Sequence, residues 1–140
     1  MFANDTFRVL DRQECLRLLG TVPVGRVVYT RQALPAVLPV SFSLDDDASV
    51  VLRTAPGSDL VQAVDGVVVA FEGDEFTAAT QSGWSVVVLG RATVVTDPAE
   101  HERLSRRGHR DWMPVRDGVF LRIRSEMVTG RELGHVHSGQ

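Results

Sequence analysis

The longest uninterrupted apolar runs in this chain are strand-length: residues 67–71 read Val-Val-Val-Ala-Phe and residues 86–89 read Val-Val-Val-Leu. Runs this short and this rich in β-branched side chains fit a buried strand better than a helix, because valine is restricted at χ1 and packs well on a pleated surface. Turn residues punctuate them, with Asp45-Asp46-Asp47 before one strand segment and Thr80-Gln81-Ser82-Gly83 before another. A chain built this way is expected to be mainly β, with its helices at the periphery.

The order of elements follows. Asp11 with Glu14 three residues on forms a capping-box-like start to a helix ending near Gly20, a candidate left-handed C-cap. Strands are expected over residues 24–30, 34–44, 49–54, 66–72, 85–96 and 119–129. A short helix is expected over residues 58–64. Asp97-Pro98 opens another that runs to about residue 107, with Asp as N-cap and Pro in the first turn. About six strands in antiparallel hairpins with three helices point to a small closed or partly closed barrel. There is no repeat, low-complexity tract or linker, so one domain is expected over residues 1–140, with flexible ends at 1–10 and 134–140.

At 140 residues the chain can bury a real core, and 44% hydrophobic with 24% charged residues is ordinary for a globular protein. A formal charge of −3 argues against a general role on nucleic acid or a membrane surface. All 15 basic residues are arginine, so no lysine is available for a Schiff base and covalent pyridoxal phosphate chemistry is excluded. Cys15 is the only cysteine, which rules out an intrachain disulfide and reads as a small buried apolar residue in a helix. The N-terminus lacks a basic-then-apolar signal pattern and no run reaches membrane-spanning length, so a cytoplasmic location is expected.

The segment from Val50 to Leu60 carries the clearest chemical signal. A β-branched run ends in Arg53-Thr54, turns through Ala55-Pro56-Gly57-Ser58, and enters an apolar-periodic segment with Leu60, Val61, Ala63 and Val64. Backbone N–H groups, the hydroxyls of Thr54 and Ser58 and the Arg53 guanidinium converging at such a junction suit a phosphate.

Together with Gly83-Trp84-Ser85-Val86-Val87-Val88-Leu89-Gly90-Arg91-Ala92, with Gly25-Arg26-Val27-Val28-Tyr29, and with Pro39-Val40-Ser41-Phe42, this segment gives the chain its resemblance. The order and spacing resemble the pyridoxamine 5′-phosphate oxidase-like family of flavin-binding split β-barrels, in particular its small actinobacterial-type branch. The resemblance runs from about Cys15 to Leu133 and takes in Trp112-Met113-Pro114 and Phe120-Leu121-Arg122-Ile123. It implies a six-stranded antiparallel split β-barrel that dimerises around FMN.

On that resemblance Arg53, Thr54 and Ser58 form the phosphate cradle. Pro39, Val40, Ser41 and Phe42 lie beside the flavin ring, and Trp84 with Ser85 reaches the dimer cleft. Read from the residues alone, alternation places Val40 and Phe42 on one core-facing side with Leu38, and Trp84 can equally close a barrel end. One position departs from the family pattern. Many relatives carry lysine after Gly-Ser or Gly-Thr, and this chain has Asp59. A carboxylate there either repels the phosphate or points outward, where it favours the helix dipole.

Three functions remain open at this level: an FMN-dependent oxidoreductase with a small-molecule substrate, a reductase using the deazaflavin F420, and a small-ligand-binding module without tight FMN binding. For the second, Arg53, Arg91, Arg103, Arg106, Arg107 and Arg110 are candidates for a basic groove. No general acid or base can be assigned. His135-x-His137 lacks a third ligand and reads as a terminal tail, so no metal is expected. His101 and His109 flank a charged helix and are expected to be exposed, and Trp112 sits on a loop. Gly83-Trp84-Ser85 lacks the second glycine of a nucleophile elbow.

Overall fold

The computed structural model describes residues 7–108 and 117–134, which form nine strands and three helices. In chain order they are β1 (Phe7–Leu10), α1 (Arg12–Leu19), β2 (Val24–Arg31), β3 (Leu34–Ser41), β4 (Ser43–Leu44) and β5 (Val50–Thr54). Then come α2 (Asp59–Val64), β6 (Val68–Thr77), β7 (Ser82–Val94), α3 (Pro98–Arg106), β8 (Val119–Ile123) and β9 (Met127–Leu133). The strands follow one another laterally as β3, β2, β6, β7, β8, β5 and β4, with β9 also on β7 and β1 on β9. Every pairing is antiparallel. The fold is mainly β with peripheral helices, as expected.

Alternation along the strands divides inside from outside. Val86, Val88 and Ala92 of β7, Val69 and Phe71 of β6, Val27 of β2 and Leu52 of β5 point inward to one core. Cys15 and Leu19 of α1, and Leu60 and Val64 of α2, join that core. A second, smaller cluster of Val51, Leu104 and Phe120 seats α3 on the outer side of β5 and β8.

Four expectations change. The strand expected over residues 34–44 divides at Phe42 into β3, which pairs with β2, and β4, which pairs with β5. The last strand divides into β8 and β9, because β8 pairs with residues 92–94 of β7 while β9 pairs with residues 83–89. The chain turns a corner at Arg124, and Gly90 admits it: a Cβ at Gly90 would lie 1.6 Å from the Arg124 carbonyl oxygen. Phe7–Leu10, expected as part of a flexible end, is a strand held by β9 pairing and by Arg8 on Glu132 at 2.9 Å. Gly20 is right-handed at φ −69°, because its N–H and that of Thr21 meet the Leu16 and Leu18 carbonyls without a left-handed turn. The Asp11 cap is as expected, its carboxylate accepting from the Glu14 N–H at 2.8 Å.

The sheet edge at β3 carries Pro35 and Pro39, which have no N–H to offer an added strand. What this end of the sheet presents is a face. A row of paired positions crosses five strands on its outer side: Val37, Val28, Ala70, Leu89 and Met127. Val37, Leu89 and Met127 are exposed at 61%, 38% and 57%, so the row is an unpartnered apolar stripe in the single chain.

Candidate functional site

The β5–α2 junction is built as the sequence indicates. Gly57, at φ +70°, turns the chain, and the Ser58 N–H closes the turn on the Ala55 carbonyl at 3.2 Å. Ser58 is the N-cap of α2, its hydroxyl accepting from the Val61 N–H at 3.2 Å. The Thr54 hydroxyl donates to the same oxygen at 3.2 Å, so the two hydroxyls stand side by side. The N–H groups of Asp59 and Leu60, first in the helix, have no carbonyl within it to meet. Nothing lies within 4 Å of where a Gly57 Cβ would sit, so the approach over the turn is open. Two hydroxyls and helix-start N–H groups behind an open turn fit a phosphate.

Arg53 does not join them. Successive residues of a strand face opposite ways, and Thr54 is on the α2 side. The Arg53 guanidinium lies instead over the Phe120 ring, 5.7 Å from its centroid, on the side where α3 packs. Asp59 faces outward. Its carboxylate is paired with Arg31 at 3.0 Å and is 64% exposed, so it is not aimed into the cradle.

The ring-side candidates separate by face. Pro39 and Ser41 stand opposite Arg26 and Val24, on the outer side of the sheet. Val40 packs against the core, and Phe42 lies inside it, edge-on to Phe71 with ring centroids 4.8 Å apart. Trp84 is also core, 7% exposed, so in the single chain it fills the barrel interior rather than a groove. Ser85 is half-buried on the outer face, between Asp74 and Arg131. Of the nine residues singled out, the structure brings together Thr54 with Ser58, places Pro39, Ser41 and Ser85 on the outer face, and turns Val40, Phe42 and Trp84 inward.

Beside the apolar stripe lies a charged group. Arg26 Nη1 contacts Glu72 Oε1 at 2.8 Å and Asp74 Oδ2 at 3.2 Å. Burial and the hydrogen bond with Asp74 push the Glu72 carboxyl up to about 7, and Arg26 opposes the rise. Arg26 of β2 stands directly opposite Glu72 of β6, so the strand register makes the pair. Arg91 instead donates to the Gly66 carbonyl.

The remaining described arginines of the proposed basic groove are engaged by acids. Asp45, its side chain 3% exposed, accepts from Arg103 at 2.6 and 3.0 Å, from Arg107 at 2.9 Å and from Arg122 at 2.9 Å. These bonds, Arg103 foremost, hold its carboxyl far below the usual range. Arg106 pairs with Glu102 at 2.7 Å. His101 is half-buried, edge-on to Phe120 and 3.3 Å from the Gly118 carbonyl oxygen. Arg110, His109, Trp112, Met113, Pro114, His135 and His137 lie outside the described residues. Among the described residues no cluster of His, Cys, Asp and Glu could hold a metal, and no helix is long and apolar enough to cross a membrane.

An antiparallel barrel with a hydroxyl-lined strand–turn–helix junction and an apolar outer face is the architecture of the flavin-binding split barrels. The family model for pyridoxamine 5′-phosphate oxidase matches residues 11–132, and the chain belongs to that family. A protein of Mycobacterium tuberculosis described as uncharacterized is 44% identical over 126 residues, which cover 86% of this chain and 82% of that protein. The FAD binding protein from Mycobacterium smegmatis is 32% identical, with a TM-score of 0.78 over 90% of this chain and 99% of that one. An FAD-binding protein from Mesorhizobium loti is 26% identical, with a TM-score of 0.75 over 91% and 99% of the two chains.

Sequence reading missed the Arg31–Asp59 pair and the breadth of the apolar stripe. The pair has no sequence signal, because a hairpin brings its partners together from separate elements. The stripe had a partial one, in the alternation of Val28 on β2 and Leu89 on β7.

Proposed function

We propose that this protein is a homodimeric flavin-dependent oxidoreductase that binds the riboflavin 5′-phosphate unit, the whole of FMN and half of FAD. The observation that carries this reading is the likeness, over nine-tenths of the chain, to a protein described as FAD binding, at 32% identity. The β5–α2 junction supports it. Thr54, Ser58 and the first N–H groups of α2 hold the phosphate, and the open turn at Gly57 admits it.

A bound flavin supplies electron and hydride transfer, and the protein supplies position and electrostatics. Pro39, Ser41 and Ser85 present their groups on the outer face of the sheet, where a ring lying on it would meet them. The apolar row from Val37 to Met127 seats a second copy, which covers that ring from the other side and excludes water. The substrate is a small molecule that enters the remaining cleft. The deazaflavin reading is less favoured, because Arg103, Arg106 and Arg107 are each held by a carboxylate.

The test is the absorbance spectrum of the purified protein, followed by titration of the stripped protein with FMN, FAD and F420. Flavin bands, or saturable binding of FMN or FAD, are expected. Binding of F420 alone, or of none of the three, overturns the reading.

A further inference from the structure

Beside the apolar row on the outer face, the next paired positions read Pro39, Arg26, Glu72, Val87 and Thr129. Asp74, two residues beyond Glu72 on β6, stands opposite Ser85. Both carboxylates reach the same nitrogen of Arg26, at 2.8 and 3.2 Å, and a hydrogen bond joins them to each other. Their side chains are 23% and 27% exposed in the single chain. Two carboxylates on one guanidinium leave one negative charge in excess unless the pair holds a proton. The other charged groups of this face stand apart. Arg131 of β9, opposite Ser85, lies over the Phe7 ring, 4.5 Å from its centroid, and Arg91 of β7 donates to the Gly66 carbonyl. The neighbours from β3 are Pro39 and Ser41 and those from β7 are Ser85 and Val87, none of them charged.

We propose that this triad makes the pairing of two copies conditional on a proton, one per chain, held between Glu72 and Asp74. The inference rests on the homodimer reading above. Arg26, Glu72 and Val87 each lie two residues along their strands from a member of the apolar row, Val28, Ala70 and Leu89. A copy seated on that row therefore also takes water from the triad. A two-fold interface sets a patch against itself, so each chain brings the same excess charge. With the proton in place, Glu72 donates to the Asp74 carboxylate, Arg26 balances the remaining charge, and the covered triad is neutral. Without it, each chain shuts two carboxylates away from water with one guanidinium between them, and desolvation opposes closure.

This proton is exchanged in neutral solution. Burial and the Asp74 hydrogen bond already raise the Glu72 carboxyl to about 7 in the single chain, against the pull of Arg26. Closing the interface removes more water and raises it further. The dimer then binds more protons than two separate chains, so pairing is at full strength below about pH 7 and weakens as pH rises above it.

The experiment is sedimentation velocity of the full-length protein over nanomolar to micromolar concentration, at about pH 6.5 and about pH 9, with the fold checked by circular dichroism at each. The wild-type dimer constant is expected to weaken at least about tenfold at the higher pH, since a tenfold firmer hold on the proton in each chain compounds to about a hundredfold. Glu72→Gln keeps a donor to Asp74 and leaves the triad neutral at both pH values, so its dimer constant is expected to stay within about twofold between them. Asp74→Asn is expected to behave in the same way, which covers the failure of either variant to fold. A wild-type dimer equally tight at both pH values, or a pH dependence unchanged in the folded variants, overturns the inference while the dimer stands. A monomer at both pH values overturns the dimer and the inference together.

Discussion

Arg122 and Asp45 meet at 2.9 Å with both side chains almost wholly removed from water, at 10% and 3% exposure. Asp45 sits at the turn between β4 and β5, and the same carboxylate receives Arg103 and Arg107 from α3. One acid therefore ties a hairpin, a barrel strand and a peripheral helix together.

Asp45→Asn should destabilise the protein by about 3 kcal/mol, the low end for breaking a buried pair, since Arg103 and Arg107 stay partly exposed. The carboxyl titrates far below its unfolded value. Its contribution is therefore full above about pH 4 and is lost as pH falls below that. Urea unfolding of both proteins between pH 3 and pH 7 checks this. A variant as stable as wild type at neutral pH would show the cluster to be dispensable.

Glu72 shifts the other way. Its folded carboxyl holds a proton to about pH 7, whereas an unfolded glutamate loses it near 4.5. The native state binds more protons across that interval, so stability falls as pH rises from about 5 through 7. Glu72→Gln should flatten that slope while keeping an acceptor for Arg26. Equal slopes for the two proteins would place the pH dependence elsewhere.

The apolar stripe gives a test of assembly. Leu89 lies within it, between Ala70 and Met127, and faces outward from a strand whose inner side is core. Leu89→Asp should leave the fold of each barrel intact and shift a dimer towards monomer. A stable dimer is expected to bury about 1,600 Å² or more in total, and two unpaired carboxylates inside that area would be costly. Sedimentation velocity at micromolar concentration reads the change, and a wild-type monomer would refute the dimer itself.

Local chemistry was the legible part of this sequence. The caps at Asp11, Ser58 and Asp97, the turn at Gly57 and the valine-rich strands all follow from residues close together in the chain. The split of β8 from β9 was not legible, because Arg124 and Ser125 carry no turn signature and the corner depends on a glycine on another strand. Arg53 was grouped with Thr54 because they are adjacent, and strand geometry sends adjacent side chains to opposite faces. Asp59 was left with two orientations, and only the hairpin that delivers Arg31 selects one.

Arg53 supplies the last test. Its guanidinium over the Phe120 ring serves the small core that seats α3. Arg53→Ala should therefore cost about 1–2 kcal/mol in the flavin-free protein, the range for a partly desolvated cation over a ring. Were Arg53 instead a phosphate ligand, the loss would fall on binding, at about 1.5–3 kcal/mol, with the flavin-free melting temperature unchanged. Thermal melts of the stripped variant and an FMN titration separate the two. A lowered melting temperature with FMN affinity within about threefold is expected, and the reverse pattern would return Arg53 to the cradle beside Thr54 and Ser58.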